Sequence, residues 1–297
     1  MKLERQLKLA LDESRLLILG SQVLYGFQFN GIFQQQFATL PFALRVVLCA
    51  GLPLLTLALA LLITPSMQHR IVERGQDSRR VLALATVCAG AALLPVAIAL
   101  ALDMFVAVGR VLDPILAGVA AAAFFALAMS CWYAIAWLSK RKESAMGEEA
   151  QKPTPLETQV DQLLTEARII IPGVQALLGF QLTVTLTQAF AQLPAEAKLA
   201  HIAALCCMGL AVVLLMAPAS IHRIAFSGQD DPDFIAMGSV FVIVAPLPLA
   251  LGIALDAYVA AGRALSSPTA ALVLALVSLV VLIGLWYVFP LWRRVRA

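Results

Sequence analysis

Charge is what this sequence has least of. Asp, Glu, Lys and Arg make up 13% of its 297 residues, against roughly 25% in an ordinary soluble domain. A net charge of +3 is too small to mark a nucleic-acid surface. The five cysteines, Cys49, Cys88, Cys131, Cys206 and Cys207, include no C-x-x-C pair and all lie in apolar stretches. They read as small buried hydrophobes, not as a disulfide framework or a zinc site. There is no nucleotide-binding glycine loop, no G-x-S-x-G and no H-E-x-x-H. The expectation is therefore no enzyme, no metal and no cofactor. What the chain does have is apolar bulk: 61% of it is hydrophobic, and its mean hydropathy is +0.89.

The few charges divide the chain. Eight charge-free intervals are long: 16–44, 46–69, 81–102, 114–139, 169–195, 199–222, 234–255 and 264–292. The shortest spans 22 residues and no other interval exceeds six. A helix needs about 20 mostly apolar residues to cross a bilayer core. In lipid its backbone must satisfy its own hydrogen bonds, which selects helix. The predicted fold class is all-α: a polytopic membrane bundle with eight transmembrane helices. With the N-terminus inside, 17 of the 21 Lys and Arg residues face the cytoplasm. The outer loops then keep Arg45, Arg110, Lys198 and Arg263. That bias places both termini in the cytoplasm. Residues 1–15 alternate charged and apolar positions, as an amphipathic helix at the inner surface would. No small-residue cleavage site follows the first apolar run, so it reads as an uncleaved anchor. Trp132, Tyr133, Trp137, Trp286, Tyr287 and Trp292 form an aromatic belt at the inner ends of helices 4 and 8.

The chain also matches itself at an offset of 153 residues. Glu13-x-Arg15 falls on Glu166-x-Arg168, Gly20-x-Gln22 on Gly173-x-Gln175, and Gly26-Phe27-Gln28 on Gly179-Phe180-Gln181. His69-Arg70 falls on His222-Arg223, Gly75-Gln76-Asp77 on Gly228-Gln229-Asp230, Asp103 on Asp256, and Gly109-Arg110 on Gly262-Arg263. The domains are read as a four-helix repeat over 1–139, a charged cytoplasmic linker over 140–160 and a second four-helix repeat over 161–297. Four is an even number, so the repeats are parallel and related by a pseudo-twofold axis along the membrane normal. Thr154-Pro155-Leu156-Glu157 reads as a helix start with Thr154 as its cap. The following segment, with Val160, Leu163 and Leu164 on one side, is expected to lie at the inner interface before turning into helix 5.

The pattern E-x-R, G-x-Q-x-x-x-G-F-Q, L-P, A-P-x-x-x-H-R and a late D-x-[FY]-V resembles a family of uncharacterised bacterial integral membrane domains, domain of unknown function 6328, present here as tandem copies. It covers both repeats, with Thr64 replacing the Ala before Pro65 in the first. The resemblance implies a four-helix membrane unit without an assigned activity.

Three sets of polar residues are candidates for function. Arg15, Leu19, Gln22 and Gly26 share one helical stripe, repeated by Arg168, Pro172, Gln175 and Gly179. The glutamines serve either as packing glue or, with Gln28 and Gln181, as the lining of a hydrated path between the repeats. At the inner helix ends stand Glu13, Arg15, His69 and Arg70, with Glu166, Arg168, His222 and Arg223. Glu13 could meet Arg70, and Glu166 could meet Arg223, as ion pairs pinning each hairpin. The alternatives are an inner gate or proton relay through the histidines and binding of anionic lipid by the arginines. Asp103 and Asp256 close apolar runs at the outer ends of helices 3 and 7. A carboxylate at the edge of the hydrocarbon is costly unless paired or hydrated, which makes both acids candidates for ion binding. They could instead be interfacial caps. Arg110 and Arg263, seven residues on, are outer charge candidates, and Arg45 and Lys198 are possible partners of the acids. Two readings follow: a small inner-membrane ion transporter or channel, coupled to protons or sodium, or a non-transporting scaffold that interacts with lipid. The expected partners are membrane lipids, a small cation and further copies of the chain, with no nucleic acid.

Reporter fusions at residue 15, within 140–160 and at the C-terminus are expected to give the same cytoplasmic signal. A linker reporter on the side opposite either terminus would contradict four crossings per half.

Overall fold

The computed structural model describes residues 3–109, 112–134, 154–224, 226 and 230–296. Among them it is helical throughout, with no strand. Four long helices, α1 (Leu3–Ile32), α2 (Phe42–Ile71), α3 (Arg79–Gly109) and α4 (Pro114–Met129), make the first half. The second half holds α5 (Leu156–Thr185), α6 (Ala195–Ile224), α7 (Pro232–Val244), α8 (Pro246–Leu265), α9 (Pro268–Ile283) and α10 (Phe289–Arg296). At about 1.5 Å per residue, a helix of 30 residues is longer than a hydrocarbon core.

Six helical stretches among the described residues are long and apolar enough to cross a membrane: Phe42–Ile71, Arg79–Gly109, Leu156–Thr185, Ala195–His222, Pro232–Leu265 and Pro268–Arg296. They mark this as a membrane protein. The described parts of the other two charge-free intervals do not meet that measure. Helix α1 carries Gln22, Gln28 and Asn30 within its apolar run. Helix α4 is 16 residues long and passes into a π-helical turn, Ser130–Ala134.

Local chemistry sets the helix boundaries. Asp113 caps α4 by accepting from the amides of Ile115 and Leu116, with Pro114 at the first position. Ser267 caps α9 in the same way, accepting from Ala270 ahead of Pro268. In each half a helix, α4 or α9, passes into a π turn, Ser130–Ala134 or Gly284–Val288. Tyr133 donates to the Gly90 carbonyl, and Tyr287 to the Ile243 carbonyl. These later equivalences run at an offset of 154, so the second half carries one extra residue between Arg263 and Pro268. Pro246 interrupts the chain between α7 and α8, because proline supplies no amide to continue the ladder; Pro95 is accommodated inside α3 without a break.

Several expectations are corrected here. Thr154 does not cap α5: Pro155 occupies the cap without a side-chain bond. The hydroxyl of Thr154 instead accepts from the Asp77 amide, and its own amide donates to Gln76 Oε1. Gln162 Nε2 adds a bond to Asp77 Oδ1 at 2.6 Å. The Gly75-Gln76-Asp77 loop thus holds the start of the second half. Helix α5 runs straight through from Leu156, with no turn after its first segment. Its Val160 and Leu163 pack with Phe234 in a small cluster of their own. Helix α1 likewise absorbs the expected surface helix, with Leu7 and Leu11 buried.

The halves do not meet with twofold symmetry, which corrects the expected pseudo-twofold packing. Gln22 of α1 lies against Gly173 of α5 so closely that a Cβ there would overlap its side chain. The symmetry mate of that contact, Gln175 against Gly20, is not made: Gln175 is exposed and Gly20 faces open space. Phe180 fills the space over Gly26, whereas Gly179 has nothing near it. Helix α2 is drawn into the second half, where Trp286 Nε1 donates to the Ala60 carbonyl. Within its most apolar window, 56% of α2 is buried, against 28% for its counterpart α6. Tyr25 donates to the Ile253 carbonyl, and Arg263 Nε to the Ile32 carbonyl, adding further ties between the halves.

Gly173→Ala is expected to lower stability by about 1–3 kcal/mol through overpacking, while Gly20→Ala at the equivalent position is expected to be neutral. Thermal unfolding of the two variants in detergent checks this, and equal melting temperatures would contradict the asymmetric contact.

Candidate functional site

Helix α1 brings Gln28 to α3, where its amide Nε2 donates to both carboxylate oxygens of Asp103, at 2.9 and 3.0 Å. Helix α5 brings Gln181 to α8, where Nε2 donates to Asp256 Oδ2 at 2.8 Å. The two bonds are the same bond at an offset of 153. Gly51 makes room for the first, since a Cβ there would overlap the Gln28 amide.

The environments differ. Asp103 is half-buried, whereas Asp256 is 1% exposed. Asp256 Oδ1, Gln28 Oε1 and Gln181 Oε1 are buried acceptors without a partner among the described residues. His201 stands beside the second pair, its Nε2 3.0 Å from the Gln181 carbonyl. Donation to a carbonyl places a proton on Nε2, and Nδ1 lacks a partner among the described residues. Phe29 stacks on this imidazole at 5.9 Å. A buried carboxylate without a cation beside it is stable as the neutral acid or with a bound cation. Oxygen acceptors from a carboxylate and an amide are the donors that hard cations take.

Among the described residues, Arg263, Lys198 and Arg45 do not bond to the acids. Arg263 bonds to a backbone carbonyl and lies over the Phe33 ring. Lys198 donates to the Ala191 carbonyl, and Arg45 lies over Phe42. Arg110 falls outside the described residues. The four glutamines do not line one path either. Gln28 and Gln181 hold the acids within their own halves, Gln22 is wedged against Gly173, and Gln175 is exposed.

The charges expected at the inner helix ends form a second cluster, and its pairing corrects the expectation. Glu166 is fully buried; His69 Nδ1 lies 2.5 Å from its Oε1, and Arg70 Nε donates to its Oε2. The acid of the second half is therefore bound by Arg70 and His69 of the first, across the halves and not within a hairpin. Glu13, its counterpart, is exposed, Arg15 is half-buried and Arg168 is exposed. His222 packs on Phe234 at 4.6 Å, and the side chain of Arg223 lies outside the described residues.

The family model for a family of unknown function, DUF6328, matches residues 1–136 and again residues 150–290. The chain belongs to that family. No curated protein and no solved structure matches it. The two matches of the DUF6328 model each contain one Gln–Asp pair and one E-x-R and H-R set, so the candidate residues lie on the family's own unit. Sequence reasoning missed Thr154 and Gln162 as ligands of the Asp77 loop. It also missed the approach of His201 to Gln181. The distance between His201 and Gln181 along the chain, 20 residues, carries no periodic signal across a helix break.

Loss of Glu166 leaves the Arg70 charge buried. Glu166→Gln is expected to cost about 3–5 kcal/mol, and Glu13→Gln, at an exposed position, less than about 0.5 kcal/mol. Chemical denaturation in mixed micelles compares them; equal losses would mean that the cross-half pair is not formed.

Proposed function

We propose that this DUF6328 chain is an eight-span inner-membrane transporter or channel for a small cation, coupled to protons or sodium. It is built by internal duplication as two parallel four-helix repeats, with both termini in the cytoplasm. Asp256 with Gln181, and Asp103 with Gln28, are its two equivalent ion-binding positions. The observation that carries this reading is the buried Asp256 carboxylate, which is held by an amide and faces no cation among the described residues. Intramembrane acids of this kind mark ion and proton pathways. The recurrence of the bond in both halves supports a duplicated site. The family matches at 1–136 and 150–290 support the duplication, and the concentration of Lys and Arg on alternate connections supports the orientation. On this reading the chain is not an enzyme. Its partners are lipids, the transported cation and further copies of itself. The pathway expected at the repeat interface moves accordingly to the α1–α3 and α5–α8 contacts, where the acids sit.

A second reading, a non-transporting scaffold, draws support from the close seating of Gln22 on Gly173. Its own requirement, salt bridges at Asp103 and Asp256, finds no support in the amide bonds these acids make. In proteoliposomes, proton- or sodium-driven flux is expected to fall to background in Asp103→Asn plus Asp256→Asn. Flux unchanged by the double substitution would remove the role of the acids, and no flux across a broad cation panel would favour the scaffold.

A further inference from the structure

A pocket of about 430 Å³ opens beside the Glu166 cluster, lined by Arg70, Arg74, Gln159 and Ser239 against an apolar wall that includes Leu156 and Ile235. Its volume is in the range of small-molecule sites. Arg70 is the residue that gives it chemistry. A guanidinium carries five N–H donors in a fixed fork. Arg70 spends Nε on Glu166, yet Nη1 and Nη2 are buried without a partner among the described residues. The residue is 3% exposed and its side chain 1%, so the chain leaves that edge little contact with bulk water. Removing such donors from water without a partner is costly. The fork is therefore held ready for an acceptor that arrives from outside the chain.

The backbone around it keeps the site open. Arg74 and Gly75 both take positive φ, 51° and 78°, turning the chain back after α2 so that the Gly75 amide donates to the His69 carbonyl. The place where a Gly75 Cβ would sit is 3.1 Å from Arg70 Nη1. Any larger residue would press on the open edge of the guanidinium. Helix α5 begins at the pocket with Pro155 as a cap that makes no side-chain bond, and Glu157 in its first turn already meets the positive end of that helix. Helix α7 is capped by Asp231, so it supplies Ile235 and the Ser239 hydroxyl, not an open terminus. No carboxylate is among the described lining residues.

We propose that this pocket binds an anionic phosphate-type group, with the Nη edge of Arg70 as its principal donor and Arg74 as a second charge. The apolar wall beside the donors suits a phosphodiester that carries acyl chains, so the fitting ligand is the headgroup of an anionic lipid; a free phosphate shares the same recognition chemistry. The second half does not repeat the residues of the site. Arg74 has Ser227 as its counterpart, and Glu13, the counterpart of Glu166, is exposed. The inference does not depend on transport, and it stands or falls separately from the Asp–Gln pairs.

The test uses the full chain in detergent, titrated with phosphatidylglycerol, phosphatidylcholine or inorganic phosphate and read by native mass spectrometry and melting temperature. Phosphatidylglycerol is expected to remain bound where phosphatidylcholine is stripped. Arg74→Ala should bind it about five-fold more weakly, the effect of one basic residue at an anionic surface. Ser239→Glu, which places a carboxylate in the pocket, should abolish the preference. Arg70→Lys keeps the charge beside Glu166 but removes the fork, and should also lose it; if that variant fails to fold, the other two still decide. Stabilisation by inorganic phosphate alone, competing with the lipid, would support the site with a soluble anion as its source. Equal retention of the two lipids without phosphate binding, or wild-type lipid binding in both Arg74→Ala and Ser239→Glu, would overturn the proposal.

Discussion

Glu166 is a carboxylate placed where water does not reach, and the arrangement of the halves follows from how it is compensated. Taking such a group out of water costs several kcal/mol, a cost that must be offset by cations and hydrogen bonds at close range. Arg70 supplies the charge and His69 a further close contact, and both come from the end of α2. To bring them there, α2 packs on α1 and α3 of its own half and also reaches the second half. Once it does, Trp286 can reach the Ala60 carbonyl, and Tyr25 can reach Ile253. The charged clamp at one end and the indole and phenol bonds along the bundle describe one packing choice.

That choice breaks the symmetry that the duplicated sequence suggests. Two copies of one unit could dimerise face to face, with every contact made twice. Here Gln22 meets Gly173 but Gln175 does not meet Gly20, and Glu166 is enclosed while Glu13 is exposed. Fusion in one chain permits this, because each copy occupies a single place and its residues can specialise. Thr154 and Gln162, which grip the Asp77 loop, sit in the linker and in the first turns of α5. At the 153-residue offset their counterparts are Met1 and Leu9. Neither of those side chains offers a hydroxyl or an amide, so the grip belongs to the second copy alone.

Against this asymmetry, the Gln28–Asp103 and Gln181–Asp256 bonds recur in both halves, each with the amide Nε2 as donor. Each joins two helices of the same half, although the second lies beside the contact between the halves, where Phe29 stacks on His201. An amide that donates to a carboxylate satisfies it without neutralising it. The unit thus keeps a carboxylate in an apolar bundle with no countercharge among the described residues, the feature on which the functional proposal rests.

The sequence by itself determined the helices, their class and the pairing of equivalent residues. Charge-free intervals of 22 residues or more and a constant offset are properties of one dimension, and the backbone in lipid has few alternatives to helix. It also placed Asp103 and Asp256 as acids at the ends of apolar runs, since the cost of such a charge is visible from its neighbours along the chain. What the tertiary structure decided is which partner each polar group found. By pattern Arg70 belonged with Glu13 of its own hairpin, yet it pairs with Glu166; Asp256 had Arg263 and Lys198 on offer, yet it bonds to Gln181. Those outcomes depend on which helix faces lie within about 3 Å of each other, and periodicity along a helix says which face a residue is on but not what stands opposite it.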